Sequence, residues 1–192
     1  MPLDYEPDEL SSSNKGVNAP TPLNNSSCII PLAIGNQWTT KVTEWDFDGD
    51  ITSSRYQTTK IIGDTTVADE HWFIMKHPRG SVICMNGSEG FYELRSGTKI
   101  LVLKYPASVG DSYQAPDGPE KILSQNAKLS VPKGSFVCYQ YELTLTRVGD
   151  LRIKNYYCPG VGLIGGQIVR ANRNGTGGSI AGMIELVDYV VH

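Results

Sequence analysis

Charge is scarce in this chain. Asp, Glu, Lys and Arg make up 19% of its 192 residues, against roughly 25% in an ordinary globular protein, and the net charge is -3. No Lys/Arg run occurs and the charges are dispersed, which argues against a nucleic-acid surface. Long apolar stretches are missing as well: the longest falls far short of the ~20 residues a membrane helix needs. Cysteine is limited to Cys28, Cys84, Cys138 and Cys158, with no Cys-x-x-Cys pair, so zinc and thioredoxin-type chemistry lack support. His71, His77 and His192 are scattered, and none sits in a motif with a Ser or Cys nucleophile. A dyad of His71 or His77 with Cys84 would need tertiary geometry that spacing does not reveal. The glycine-rich stretch Gly160–Gly166 follows a strand without opening a helix, so a phosphate cradle fails. The expected chain is therefore not an enzyme.

What is present is alternation. From Cys28 onward apolar and polar residues alternate with period two, and no segment carries a capped amphipathic helix. Strands are expected over Gln37–Trp45, Thr52–Ile62, Glu70–Lys76, Ser81–Met85, Gly90–Leu94 and Lys99–Tyr105. Gly63-Asp64 is expected to break the second of these, and Asp48-Gly49 and Asn86-Gly87 to make tight hairpin turns. Tyr105 to Pro119 reads as a Pro/Gly-rich connection, Ala127–Val131 leads into a long hairpin, and Val161–Arg170 and Ser179–Val191 close the chain. The fold class is all-β: an antiparallel β-sandwich or half-open barrel of about ten strands. Residues 1–27, polar and interrupted by Pro2, Pro7, Pro20 and Pro22, form a polar N-terminal arm or linker; residues 28–192 form a single β-domain. Met1–Leu10 carries four acids and no base, so no signal peptide is visible there.

The long hairpin can be registered from its pattern. A three-residue loop, Val148-Gly149-Asp150, pairs Leu145 with Ile153 and Tyr141 with Tyr157. In that register Cys158 is the diagonal neighbour of Cys138, at roughly 7–8 Å, and a bulge near Pro159-Gly160 would bring the two to disulfide distance.

The same stretch carries a resemblance. Val131, Pro132, Gly134, Phe136, Cys138 and Tyr139, followed by Tyr156, Tyr157, Pro159, Gly160, Val161, Gly162 and Leu163, resemble a pattern in bacterial secreted and lipoprotein-like β-domains of unknown function. Pro31–Trp38 looks like the opening strand of that group, and Tyr105–Tyr113 like its mid-domain motif. Cys158 stands where the group tends to have Ala, and Lys133 where it has a small residue. The resemblance implies an all-β fold, an extracellular or periplasmic cell-envelope setting and no catalytic residues. Physically, Pro132 and Gly134 set a turn, Phe136 anchors the following strand in the core, Pro159-Gly160 ends the next strand, and Gly162 permits close backbone approach or a bulge.

Two sites remain. Asp46, Asp48 and Asp50 place three carboxylates in five residues, which suits Ca²⁺, although Gln57 stands where an EF-hand loop would need Glu. The tryptophans and ten tyrosines read mostly as core and cross-strand pairs. Two functions follow. One is a non-enzymatic structural or protein-interaction domain, pairing with a protein partner or with itself through the arm or an edge strand. The alternative is a binding module for an apolar, lipid-like or glycan ligand in a β-barrel cavity.

Overall fold

The computed structural model describes residues 28–145, 151–171 and 178–192. Twelve strands lie in one antiparallel sheet: β1 (Gln37–Trp45), β2 (Ile51–Val67), β3 (Glu70–His77), β4 (Gly80–Gly87), β5 (Gly90–Arg95), β6 (Thr98–Lys104), β7 (Ser112–Ala115), β8 (Gly118–Val131), β9 (Gly134–Leu145), β10 (Leu151–Cys158), β11 (Gly162–Ala171) and β12 (Gly178–Val190). Their order is β6-β5-β4-β3-β2-β1-β12-β11-β10-β9-β8-β7. Two six-strand meanders are thus joined by pairing β1 with β12, and the mid-chain strands β6 and β7 are left as the edges.

The sheet curls until those edges meet, giving a nearly closed barrel. Side chains rather than a backbone ladder hold the seam. Tyr113 Oη on β7 lies 3.2 Å from the Val102 carbonyl on β6, Tyr141 Oη donates to the Lys104 carbonyl at 2.8 Å, and Lys104 Nζ meets Asp111 at 2.9 Å. Alternation decides which side chains enter the barrel. Along β2 the half-buried and buried positions are Ser53, Arg55, Gln57, Thr59 and Ile61, while Tyr56 between them is exposed. The core gathers Ile29, Trp38, Ile61, Met75, Phe91, Leu103, Phe136, Tyr141, Ile164 and Leu186.

One end of the barrel is stoppered by the segment before β1. Ile29 is buried in the core, the Cys28 carbonyl accepts from Gly160 N–H at 3.0 Å, and the Ile30 carbonyl accepts from the Asn86 amide at 2.9 Å. Asn36, fully buried, ties the stopper together. Its side-chain amide donates to the Pro31 carbonyl, its Oδ1 accepts from His192 N–H, and its carbonyl accepts from Ile61 N–H. The opposite end carries the β1–β2, β3–β4, β5–β6 and β7–β8 turns.

Several expectations need correcting. Gly63-Asp64 does not end β2: the register shifts between Ile61 and Gly63 and the strand runs on, because a bulge absorbs a residue without stopping the ladder. Asn86-Gly87 is not a turn. Gly87 pairs with Gly90, so Ser88 and Glu89 turn instead. A Cβ on Gly90 would fall 2.0 Å from the Leu103 carbonyl oxygen, so glycine is needed there for close strand approach. The supposed connection from Tyr105 to Pro119 contains β7 and the start of β8. In the long hairpin Leu145 pairs with Leu151 and Tyr139 with Tyr157, two residues away from the expected register. A shift of two leaves every side chain on its own face, so alternation is blind to it.

That ladder ends one residue short of Cys138 and Cys158, and the neighbouring bulge lies at Tyr156/Tyr157, not at Pro159-Gly160. Both cysteines are free thiols in this structure. Burial pushes the Cys138 thiol up to about 12 and the Cys158 thiol to about 11, which disfavours the thiolate from which a disulfide forms. The proposed arm, residues 1–27, lies outside the described residues. Among the described residues no helix is long and apolar enough to cross a membrane.

Candidate functional site

Curling a wide sheet leaves room inside that its side chains do not fill. A cavity of about 280 Å³ lies within the barrel, lined by residues of β1, β2, β3, β5, β6, β10, β11 and β12 together with Ile30 of the stopper. Its apolar lining comes from Ile30, Trp38, Val42, Met75, Phe91, Val102, Leu103, Tyr157, Leu163 and Ile184. Gln57, Thr59, His77 and Glu93 add polar atoms on one wall. A second hollow of about 500 Å³ shares Val42, Gln57, Thr59, His77 and Ile184 with the first and extends past Glu44 and Arg55 to the β3–β4 turn at Pro78 and Arg79. Together they form a path from the apolar interior to the turn-bearing end of the barrel.

Each polar group on this path has a defined state. His77 Nδ1 lies 3.2 Å from Thr59 Oγ1. Burial lowers the His77 pKa, an effect that Glu93 partly opposes, so the ring is neutral at neutral pH. Glu93 is paired with Arg95 at 2.8 Å. Arg55 meets Glu44 at 2.8 Å, and that hydrogen bond holds the Glu44 carboxyl below its usual range, with Arg79 adding to the field. Trp38 Nε1 donates to the Val161 carbonyl, which fixes the indole as part of the wall.

A buried polar group sits beside the seam. Glu120 is 5% exposed and touches the Tyr113 hydroxyl; burial raises its pKa to about 7. Burial also drives Tyr113, Tyr141 and Tyr157 upward, with Glu120 reinforcing each shift. These shifts all disfavour the phenolate forms. The Cys84 thiol is pushed up to about 12 by burial, and among the described residues no hydrogen bond joins it to His71 or His77. His71 instead pairs with Asp64 on the surface at 2.8 Å.

The residues singled out from sequence have these positions. Asp46 Oδ1 accepts from the backbone N–H groups of Asp48 and Asp50 at 3.0 and 2.9 Å, so this carboxylate is used to shape its own turn. Among the described residues no group of three or more His, Cys, Asp and Glu converges to hold a metal. Pro132 lies in the β8–β9 turn closed by Val131 opposite Gly134, and Phe136 is buried in the core. Pro159 and Gly160 turn between β10 and β11, where Gly160 has φ 75° and donates to the stopper. Gly162 has φ 103°, and a Cβ there would meet Trp38 Nε1 at 3.2 Å. The motif therefore borders the cavity through Trp38 and Leu163. Tyr157 also stands in the motif and His77 was considered as a dyad member, but none of the cavity residues was recognised as lining a hollow, because period-two spacing marks inward positions without telling which of them face empty space.

No protein-family model matches the chain, and no curated protein matches it. Among solved structures, the chain is similar to a presumed exported protein with a YmcC-like fold from Bacteroides fragilis, at 11% identity and a TM-score of 0.52, covering 84% of this chain and 98% of that one. It is also similar to a presumed lipoprotein from Parabacteroides distasonis, at 13% identity and a TM-score of 0.47, covering 86% and 100%. The first likeness establishes a shared YmcC-like fold.

Proposed function

We propose that this chain is a non-catalytic binding domain that holds an apolar ligand inside its barrel and works in an exported, cell-envelope setting. The observation that carries the ligand reading is the unfilled cavity with its mostly apolar lining. Protein interiors are normally packed without such space, and a hollow that opens through a polar mouth is the usual form of a ligand site. The raised thiol pKa values and the engaged histidines favour binding over catalysis. The envelope setting is supported by the motif resemblance and by the description of the Bacteroides fragilis protein as presumed exported.

Filling the cavity tests this. Leu163→Trp adds an indole to the hollow from β11. An apolar fluorophore such as N-phenylnaphthylamine is expected to bind the wild type and to lose most of its affinity for the variant, with the circular dichroism unchanged. Equal binding by both proteins, or none by either, defeats the reading.

A further inference from the structure

The path through the barrel changes character along its length, and this gradient names the class of ligand. At the stoppered end the walls are Ile30, Phe91 and Leu103, with no charged group among them. Midway come Gln57, Thr59, the neutral His77, and Glu93 with its charge paired to Arg95. At the open end the charged groups are Glu44, Arg55 and Arg79. Such an order fits a molecule with an apolar chain at one end and a polar head at the other, inserted chain first.

The sign of the head follows from the ion pairs. Arg55 is neutralised by Glu44 at 2.8 Å. Deeper in, Glu93 is neutralised by Arg95. Arg79 sits at the tip of the β3–β4 turn and makes no ion pair among the described residues; its reach toward Glu44 is only through the field. The mouth thus carries one guanidinium in surplus, exposed and able to donate two hydrogen bonds to one carboxylate or phosphate. A cationic head would gain nothing there, since the Glu44 carboxylate is already committed to Arg55.

Resting on the cavity reading above, we propose that the ligand is a single-chain amphiphile with an anionic head, a carboxylate or a phosphate ester, and that Arg79 reads the head while the barrel holds the chain. Native mass spectrometry and calorimetry with dodecanoate, dodecyl phosphate and dodecanol separate the contributions. The two anions are expected to bind roughly tenfold or more tightly than the alcohol, the size of one charge-assisted contact at a half-exposed rim. Arg79→Gln should bring the anions down to the level of the alcohol and leave the alcohol unchanged. Preference for one anion over the other identifies carboxylate or phosphate as the natural head. Equal binding of anions and alcohol, or an anion preference that survives Arg79→Gln, overturns the proposal while the cavity reading stands. Failure of all three to bind, with the wild type as inert toward the fluorophore as Leu163→Trp, removes both.

Discussion

Trp38 Nε1 donates a hydrogen bond to the carbonyl of Val161 at 2.5 Å, joining the first strand to the turn between β10 and β11 across 123 residues of chain. The indole can lie there because residue 162 has no side chain. Gly162→Ala would place a methyl 3.2 Å from Trp38 Nε1 at a φ of 103°, which L side chains avoid. A loss of about 1–3 kcal/mol is expected, the range for such strained backbone positions. Trp38→Phe should cost a similar amount by leaving the buried Val161 carbonyl unpaired. Urea unfolding curves give both values; a variant within ~0.5 kcal/mol of wild type would mean the contact is incidental.

Glu120 makes stability depend on pH. Its folded pKa of about 7 lies above the ordinary 4.5 because burial penalises the carboxylate. The folded state therefore holds the extra proton between those values, and stability falls as pH climbs from about 4.5 to about 7, then levels off. The total is on the order of 3 kcal/mol. The hydrogen-bond count says what is lost. Tyr113 has one hydroxyl proton and two acceptors, the Val102 carbonyl across the seam and the Glu120 carboxyl. When Glu120 is protonated it can donate to Tyr113, which is then free to donate to Val102. When Glu120 is ionised it draws the Tyr113 proton to itself and the seam loses that tie. His77 shifts the opposite way, its lowered pKa favouring higher pH, and the neighbouring Tyr141 and Tyr157 stay neutral throughout this window. Glu120→Gln is expected to flatten the decline between pH 5 and 8. Amide protection at Val102–Lys104, taken relative to the intrinsic base-catalysed rate, should fall with pH in the wild type and not in Glu120→Gln.

The positions of β1, β3, β5 and β6 were legible in the sequence because alternation and turn chemistry agree there. β7 was hidden among Pro106, Pro116 and Pro119, and the strand is only four residues long. The number of inward residues could be read, but not that β1 would pair with β12 and put both ends of the sheet at mid-chain. Asn36 shows the same limit from the other side. It stands in a recognisable opening motif, yet its value lies in bonds to Pro31 and His192, and the second partner is 156 residues away. The cavity was the least legible part, since it depends on how far the sheet curls rather than on any residue type.

The Asp46 turn gives a direct contrast between two chemistries. If its carboxylate serves the backbone, millimolar Ca²⁺ should produce no binding heat and no change in melting temperature. Asp46→Ala should then destabilise the β1–β2 hairpin by about 1 kcal/mol, as loss of a comparable side-chain-to-backbone cap does. A saturable calcium isotherm would reverse the assignment.

Thiol reactivity tests whether the core is as closed as its geometry requires. Cys84, Cys138 and Cys158 are all buried, and burial raises their pKa values to about 12, 12 and 11. Iodoacetamide attacks the thiolate, and at pH 8 on the order of one thiol in a thousand or fewer is ionised at such values. Peptide mapping after brief labelling should therefore find these three unmodified in the native protein and alkylated in urea. Because the β9–β10 ladder ends at Tyr139 opposite Tyr157, one step before Cys138 and Cys158, forced oxidation of partly unfolded protein should link these two before either links to Cys84. A Cys84 crosslink appearing first would mean that the β9–β10 register is wrong, and with it the placement of Tyr157 in the cavity wall.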